Sequence, residues 1–146
     1  MIKISANDEA ITAIAFVEQQ DEPSGSTPLL QQAKQQLTDY FEQKRKTFDL
    51  PLAPAGTEFQ RNVWRELRAI PYGVTCSYAD IAKRLNNPNA VRAVGSANGK
   101  NPISIIVPCH RVIGTNGTLT GYAGGLQRKA FLLLLENPLF SAREPK

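Results

Sequence analysis

Apolar and polar positions alternate over residues 2–17, on either side of a polar turn at residues 7–9. Alternation with a period of two, interrupted by turn residues, predicts two strands joined in a hairpin. Residues 21–28 are loop-like in composition, and beyond them apolar side chains recur at helical spacing up to about residue 46. Thr27 is placed to cap that helix. The N-terminal part of the chain is therefore expected to form a hairpin followed by one helix.

Helical spacing continues in the next part of the chain, where two short sequences match the capping box. Residues 57–60 and 77–80 each place Thr or Ser three positions before Gln or an acid. In this arrangement the two side chains satisfy free N–H groups at a helix start. We expect one helix at residues 58–70 and another directly after Ser77, with a short strand at residues 74–76 between them.

A third helix in this region is expected at residues 90–98. Pro88 suits the first position of this helix, and Gly99 is placed to stop it. With the helix that follows Ser77, it makes two short helices joined by a tight polar turn. This arrangement predicts a helix-turn-helix.

The C-terminal part begins with an apolar, β-branched run at residues 103–107, which predicts a buried strand. Asn116-Gly117, flanked by apolar residues, is a strong short-range signal for a hairpin, and this hairpin resembles a wing. The last helix is expected at residues 127–136, before an Asn-Pro stop.

A proline-containing stretch at residues 48–56 separates the two patterns and predicts a domain boundary. The fold class is α/β in the α+β sense. We expect a small N-terminal β-hairpin and helix subdomain at residues 1–54, followed by a winged helix-turn-helix-like C-terminal domain at residues 55–146.

Composition narrows the class of protein. The chain has 146 residues, of which 42% are hydrophobic and 21% are charged, as is ordinary for a soluble domain. It contains no apolar run of membrane-spanning length and begins without a signal-peptide pattern, so we expect a cytoplasmic protein with no membrane partner. Only Cys76, Cys109 and one histidine are present, which argues against a disulfide framework or a structural metal site. The net charge of +4 permits a nucleic-acid partner.

The sequence NPISIIVPCHRVIG at residues 101–114 contains the candidate chemistry. Cys109 is followed directly by His110 and Arg111, a base and a cation of the kind that a thiol needs to become a nucleophile near neutral pH. Pro108 stiffens the turn and is expected to present the thiol rather than bury it. The alternative is that Cys109 is a small core residue, as free cysteines often are.

The string Pro108-Cys109-His110-Arg111, with Asn101-Pro102 before it and Gly-Tyr-Ala-Gly-Gly at residues 121–125, resembles the active-site region of the O6-alkylguanine-DNA alkyltransferases. The resemblance extends from about residue 57 to residue 136. The sequence is similar to the bacterial constitutive type of enzyme, with a shortened N-terminal domain. It implies a DNA-repair protein that transfers an alkyl group from O6 of guanine irreversibly to its own cysteine, once per molecule. It also implies double-stranded DNA containing O6-alkylguanine as the partner, a monomer, and no cofactor.

The resemblance also assigns catalytic roles. Cys109 is the nucleophile, and Glu136 orients His110, which acts on the thiol through a water molecule. Tyr78 lies at the guanine pocket and donates a proton toward the leaving base, as a neutral phenol can. Asn101 hydrogen-bonds the active-site turn. From the residues alone, Tyr78 could equally be an apolar staple of its helix, and Glu136 a solvated surface acid.

The resemblance assigns DNA contacts to the helix expected at residues 90–98, most of whose side chains are small, and to Arg111 near Cys109. The arginine that matches Arg92 fills the space of the flipped nucleotide, as extrusion of a base requires. The DNA-binding set is Arg92, Ala90, Val91, Gly95, Ser96 and Arg111. The base pocket set is Tyr122, Ala123, Gly124, Gly125 and Lys129. Close packing against a neighbouring helix would also explain the small side chains, and a helical lysine is more often a solvated charge.

Three other functions are compatible with parts of this pattern. An alkyltransferase-like protein would bind the lesion without transferring the alkyl group, although Cys109 argues against it. A winged-helix regulator would use Cys109 as a core residue, but it leaves His110 and Glu136 unexplained. A Cys-His hydrolase would turn over repeatedly on an ester or amide. The stoichiometry of alkylation distinguishes all of these from a single-use transferase.

Overall fold

The computed structural model describes residues 1–18 and 25–141, which form two compact units. The first unit is Met1–Ala55 together with Pro102–Ile106, and the second is Gly56–Asn101 together with Val107–Lys146. A hairpin and one helix make up the first unit, and short helices dominate the second, so the predicted fold class is confirmed. In the described part of the chain, no helix is both long and apolar enough to cross a membrane.

The first unit begins with the predicted hairpin. Strands β1 (Ile2–Ala6) and β2 (Ile11–Phe16) pair antiparallel, with Ile4 opposite Ile14. The side chain of Asn7 closes the turn, because its Oδ1 accepts hydrogen bonds of 2.8 Å from two backbone N–H groups that follow it. The alternating pattern thus predicts both the strands and the turn correctly.

Helix α1 (Pro28–Phe41) follows, and Thr27 caps it as predicted. The Thr27 hydroxyl accepts a 3.2 Å hydrogen bond from the backbone N–H of Leu30. The helix ends at Phe41, before the expected residue 46, because Gln43 adopts a left-handed backbone conformation with φ of 62°. Of the predicted loop at residues 21–28, residues 21–24 lie outside the described part.

Two later segments pair with β2 in place of further strands. The N–H of Ile11 donates to the carbonyl of Pro51 at 2.8 Å, so part of the predicted linker is bound to the hairpin. On the same strand, Ile14 forms a single parallel bridge with Ile103. The predicted strand at residues 103–107 is wrong beyond this bridge, because Ile105 has φ of 74° and the N–H of Ile106 turns back to Ser104. These apolar side chains are buried in turns rather than in a strand.

Both predicted capping boxes are present in the second unit. They start helices α2 (Glu58–Arg68) and α3 (Tyr78–Arg84). At each start, the Thr57 or Ser77 hydroxyl accepts a hydrogen bond of 3.1 Å from a backbone N–H three residues on. Two helices are therefore placed by interactions local to the sequence.

Helix α4 (Val91–Gly99) packs against α2 and α3 and completes the predicted helix-turn-helix. The indole N–H of Trp64 fixes this packing by donating to the backbone carbonyl of Ala97 at 2.8 Å. Ala90, not Pro88, occupies the N-cap, and Gly99 is the last helical residue rather than a stop. Pro88 lies in the preceding turn, so its expected place at the helix start is wrong.

The remaining elements of the second unit are two short strands, a 3₁₀ turn that contains Cys109, and the last helix. Strands β3 (Cys76–Ser77) and β4 (Val112–Ile113) form a two-residue parallel pair, and Cys109–Arg111 forms one turn of 3₁₀ helix. Helix α5 (Leu126–Glu136) matches its prediction. The turn expected at Asn116-Gly117 exists, but no second strand of a wing follows it among the described residues. The β-branched residues before this turn, Val112 and Ile113, pair with β3 instead.

Candidate active site

Cys109 lies at the start of the 3₁₀ turn, where two tight turns meet. Its backbone N–H donates to the carbonyl of Val107 at 2.8 Å, across Pro108 with φ of −82° and ψ of 64°. This hydrogen bond closes the turn at Pro108. The thiol is nevertheless only 4% exposed, which corrects the expectation that this turn presents it to solvent.

Neighbouring polar groups oppose the effect of burial on the thiol. Burial raises the pKa of Cys109, whereas a side-chain hydrogen bond from Asn101 and the positive charge of Lys129 lower it. The Asn101 amide also donates to the carbonyl of Val107 at 2.8 Å, and the amide of Asn98 donates to the carbonyl of Cys109 at 3.4 Å. Asn101 therefore hydrogen-bonds the turn that carries Cys109, as the resemblance implies.

His110 and Glu136 form a fully buried pair. The Nε2–H of His110 donates to Oε2 of Glu136 at 2.7 Å, and the imidazole is 0% exposed. Burial lowers the pKa of His110, and the nearby cations lower it further, against the opposite effect of Glu136. A neutral ring that donates through Nε2 carries its lone pair on Nδ1, which has no hydrogen-bond partner among the described residues. His110 is therefore a base with one nitrogen available.

Arg111 is the third member of this buried cluster, because it binds both oxygens of Glu136. Its Nε donates to Oε1 of Glu136 at 2.7 Å and its Nη2 donates to Oε2 at 3.0 Å, while Nη1 donates to the carbonyl of Ile70 at 2.7 Å. The Tyr72 ring lies 5.8 Å from the guanidinium carbon. Burial alone would raise the pKa of Glu136, but the hydrogen bonds from His110 and Arg111 hold it at about 2. The carboxylate is therefore ionised.

The position of Arg111 corrects two expectations from the sequence. It is only 6% exposed, so it is not placed to bind DNA phosphates, and its guanidinium is committed to Glu136 rather than to the thiol of Cys109. The physical reason is that a buried carboxylate needs a buried cation. This partner also explains why an acid lies in the last turn of α5, where the helix dipole disfavours it.

Lys129 lies in the interior rather than in solvent. It is 0% exposed, and its Nζ donates to the carbonyl of Val112 at 2.6 Å and to that of Thr120 at 2.8 Å. Burial lowers its pKa to about 8, against the opposite effect of Cys109. Lys129 thus ties α5 to the loop that leads to residues 121–125. The interpretation of Lys129 as a solvated helical charge is wrong.

Tyr78 stands at the first position of α3, half-buried, and its hydroxyl lies 2.7 Å from the hydroxyl of Thr120. Burial raises the pKa of Tyr78, the hydrogen bond with Thr120 lowers it, and the charge of Cys109 raises it. Thr120 was not predicted from the sequence, because a loop threonine carries no signal that distinguishes it from its neighbours.

The loop at residues 121–125 lies between Thr120 and α5. Tyr122 is buried, and Ala123 and Gly125 are exposed. Gly125 is the N-cap of α5 with φ of 91°, a conformation that favours glycine over any residue with a side chain. The loop thus combines one buried aromatic ring with an exposed edge of small residues.

The outer face of α4 carries the predicted DNA contacts other than Arg111. Arg92 and Ser96 are exposed, while Ala90, Val91 and Gly95 are partly exposed. The inner face of the helix is formed by buried Val94, Ala97 and Asn98. One face of α4 therefore packs against α2 and α3, and the other exposes Arg92 among small side chains. Contact of this exposed face with DNA stays a prediction.

Two family profiles match the chain. The DNA binding domain of 6-O-methylguanine DNA methyltransferase matches residues 58–138, and the ribonuclease-like domain of the same family matches residues 1–54. A methylated-DNA–protein-cysteine methyltransferase of Methanosarcina acetivorans is 50% identical over 141 residues, which cover 92% of this chain and 90% of that protein. The constitutive enzyme of Bacillus subtilis is 60% identical over 111 residues, covering 75% and 67% of the two chains.

A solved structure agrees with these matches. The crystal structure of Mycobacterium tuberculosis OGT in complex with DNA is 45% identical in sequence, with a TM-score of 0.85, and the match covers 94% of this chain and 86% of that one. The resemblance seen in the sequence around Cys109 is therefore confirmed over nearly the whole chain. The chain belongs to the 6-O-methylguanine DNA methyltransferase family.

Proposed function

We propose that this protein repairs O6-alkylguanine in double-stranded DNA by transferring the alkyl group to Cys109. The observation that carries the proposal is a buried cysteine followed directly by His110, whose Nε2 is held by an ionised Glu136 and whose Nδ1 is available. The relatives named above as methylated-DNA–protein-cysteine methyltransferases support the reaction class. We expect the protein to act as a monomer, because the proposed reaction needs no group from a second chain.

Activation of the thiol begins with the available nitrogen of His110. Nδ1 accepts the proton of Cys109 through one water molecule, and the hydrogen bond to Glu136 stabilises the imidazolium that forms. Arg111 holds both carboxylate oxygens of Glu136, so the acid cannot turn away from the ring. The positive charge of Lys129 then favours the thiolate over the thiol.

The chemical step is a direct displacement at the alkyl carbon. The sulfur of Cys109 forms a bond to that carbon while the bond from the carbon to O6 breaks, and the electron pair goes to the base. Tyr78 donates a proton to the leaving guanine, which leaves the base in its normal form. The product on the protein is a thioether. None of the groups described around the site hydrolyses a thioether, so each molecule acts once.

DNA binding is assigned to the outer face of α4. Exposed Ser96 and partly exposed Gly95 allow the backbone to approach the duplex closely, and Arg92 fills the position that the extruded nucleotide leaves. The relative from Mycobacterium tuberculosis was crystallised with DNA, which supports the same class of partner here. The net charge of +4 favours association with a polyanion.

The test is intact mass before and after incubation with duplex DNA that contains O6-methylguanine. We expect a gain of one methyl group, mapped to the peptide of Cys109, with one lesion repaired per protein molecule. Cys109→Ser should gain nothing, whereas Cys76→Ser, the matched control, should gain the full methyl group. Repeated turnover would indicate a hydrolase, and lesion binding without a mass change would indicate an alkyltransferase-like protein. Either result would overturn the proposal.

A further inference from the structure

Thr120 contacts the phenol that is proposed to donate the proton. The two hydroxyl oxygens are 2.7 Å apart, and within the described ranges Thr120 is the only hydrogen-bond partner of the Tyr78 hydroxyl. The two residues come from different elements, since Tyr78 starts α3 and Thr120 lies in the loop before α5. A short hydrogen bond across this distance in sequence fixes the phenol more firmly than its helix alone does.

The backbone of Thr120 is itself held in place. Its carbonyl accepts a 2.8 Å hydrogen bond from Nζ of the buried Lys129, and the same ammonium donates to Val112 at 2.6 Å. At the other end, the capping box of Ser77 fixes the first turn of α3. Both hydroxyls therefore extend from anchored backbone, so they meet in a defined geometry rather than by chance contact of two mobile side chains.

We propose that Thr120 is the positioning residue for Tyr78 in alkyl transfer, an inference that rests on the function proposed above. Each hydroxyl has one O–H and two lone pairs, so only one of the two donates to the other at a time. When Tyr78 directs its proton to the base, Thr120 becomes the donor to the phenolic oxygen. This exchange of roles rotates two O–H bonds and moves no heavy atom.

The role of Thr120 follows from the balance of protons in the step. The phenolic proton of Tyr78 passes to a ring nitrogen of the leaving guanine as the carbon–O6 bond breaks, which leaves a phenolate. Thr120 donates to that phenolate, and a hydrogen bond to a developing charge is stronger than one between neutral groups. The proton of Cys109 rests on His110, and both groups return to neutrality by exchange with water after the base leaves. Thr120 thus stabilises the transition state more than the ground state.

The first experiment compares two substitutions that differ in one hydroxyl. Thr120→Val keeps the shape of the side chain and removes the hydroxyl, and it should slow single-turnover methyl transfer from O6-methylguanine in duplex DNA by about tenfold to a hundredfold. Thr120→Ser restores the hydroxyl and should recover most of the rate. Thr118→Val is a control in the same loop, because the Thr118 hydroxyl donates to Asn116 instead. It should stay near the wild-type rate.

The second experiment tests whether the effect passes through Tyr78. In a Tyr78→Phe background, Thr120→Val should cause no further slowing, because the phenol that Thr120 serves is gone. An equal slowing in both backgrounds, or an equal loss in the serine and valine variants, would overturn the inference in favour of a packing role. If Tyr78→Phe transfers too slowly to measure, the serine and valine comparison decides alone. Failure of the proposed function itself has a different signature, since wild-type protein would then gain no methyl group on Cys109.

Discussion

Arg111→Met removes the cation that compensates Glu136 and keeps a side chain of similar length. Arg111 makes two hydrogen bonds to the carboxylate, at 2.7 and 3.0 Å, in a site where the Glu136 side chain is 1% exposed. Removing one partner of such a buried pair leaves the other charge uncompensated, which costs about 3–5 kcal/mol. We expect the free energy of unfolding at neutral pH to fall by this amount.

The same substitution should change how stability depends on pH. In the wild type, the pKa of Glu136 is about 2 in the folded state and 4.5 in the unfolded state, so this group contributes about 3 kcal/mol of stability above pH 4.5. That contribution is lost as the pH falls from 4.5 through 2. Without Arg111, burial raises the pKa of Glu136 with less opposition. The loss of stability between pH 4.5 and pH 2 should therefore shrink.

Urea unfolding at neutral pH and at steps down to about pH 3 measures both effects. Arg65→Met is the matched control, because Arg65 is exposed on α2 and its guanidinium donates to the side chain of nearby Asn62. A double variant, Arg111→Met with Glu136→Gln, should be more stable than Arg111→Met alone, since it leaves no charge unpaired. A loss below about 1 kcal/mol, or an unchanged dependence on pH, would refute the reasoning.

Two further predictions concern Arg92, which is proposed to assist base extrusion, and Lys129, which affects the pKa of the Cys109 thiol. Arg92→Ala should slow transfer from a lesion in duplex DNA by about tenfold or more and leave transfer from free O6-benzylguanine nearly unchanged, because only the duplex requires base extrusion. Equal losses on both substrates would show that Arg92 has a structural role. Lys129→Met should raise the pKa of Cys109, since it removes a positive charge that favours the thiolate. A titration of thiolate absorbance in the ultraviolet, with exposed Lys83→Met as control, should shift to higher pH, and an unshifted curve would contradict the assigned role.

Local signals in the sequence predicted most of the fold. Thr27, Thr57 and Ser77 each cap the helix that was expected, because the hydroxyl and its backbone partner lie three residues apart along the chain. The hairpin was predicted from its alternating pattern and the last helix from the Asn-Pro stop, which are also local signals. The strand predicted at residues 103–107 was wrong, because an apolar, β-branched composition indicates burial but does not distinguish a strand from a buried turn.

The site was predicted less completely, because its decisive contacts are distant in sequence. Cys109, His110 and Glu136 follow from a resemblance, and the structure brings the last two together. Arg111 pairs with Glu136 across 25 residues, and Thr120 meets Tyr78 across 42. No periodicity or local motif encodes such pairs, so a charged residue beside the nucleophile was assigned to DNA when it belongs to the interior.

The burial of Cys109 has a consequence for the lifetime of the unreacted protein. Oxidation to sulfenic and higher acids begins from an accessible thiolate, and this sulfur is nearly inaccessible, with a pKa that burial raises. A protein that reacts once must keep its thiol reduced until a lesion arrives. Small soluble oxidants therefore meet a buried sulfur whose thiolate form burial disfavours, so the capacity for repair is conserved during the wait. The half-buried Cys76 lacks this degree of protection, and its oxidation leaves the reacting sulfur intact.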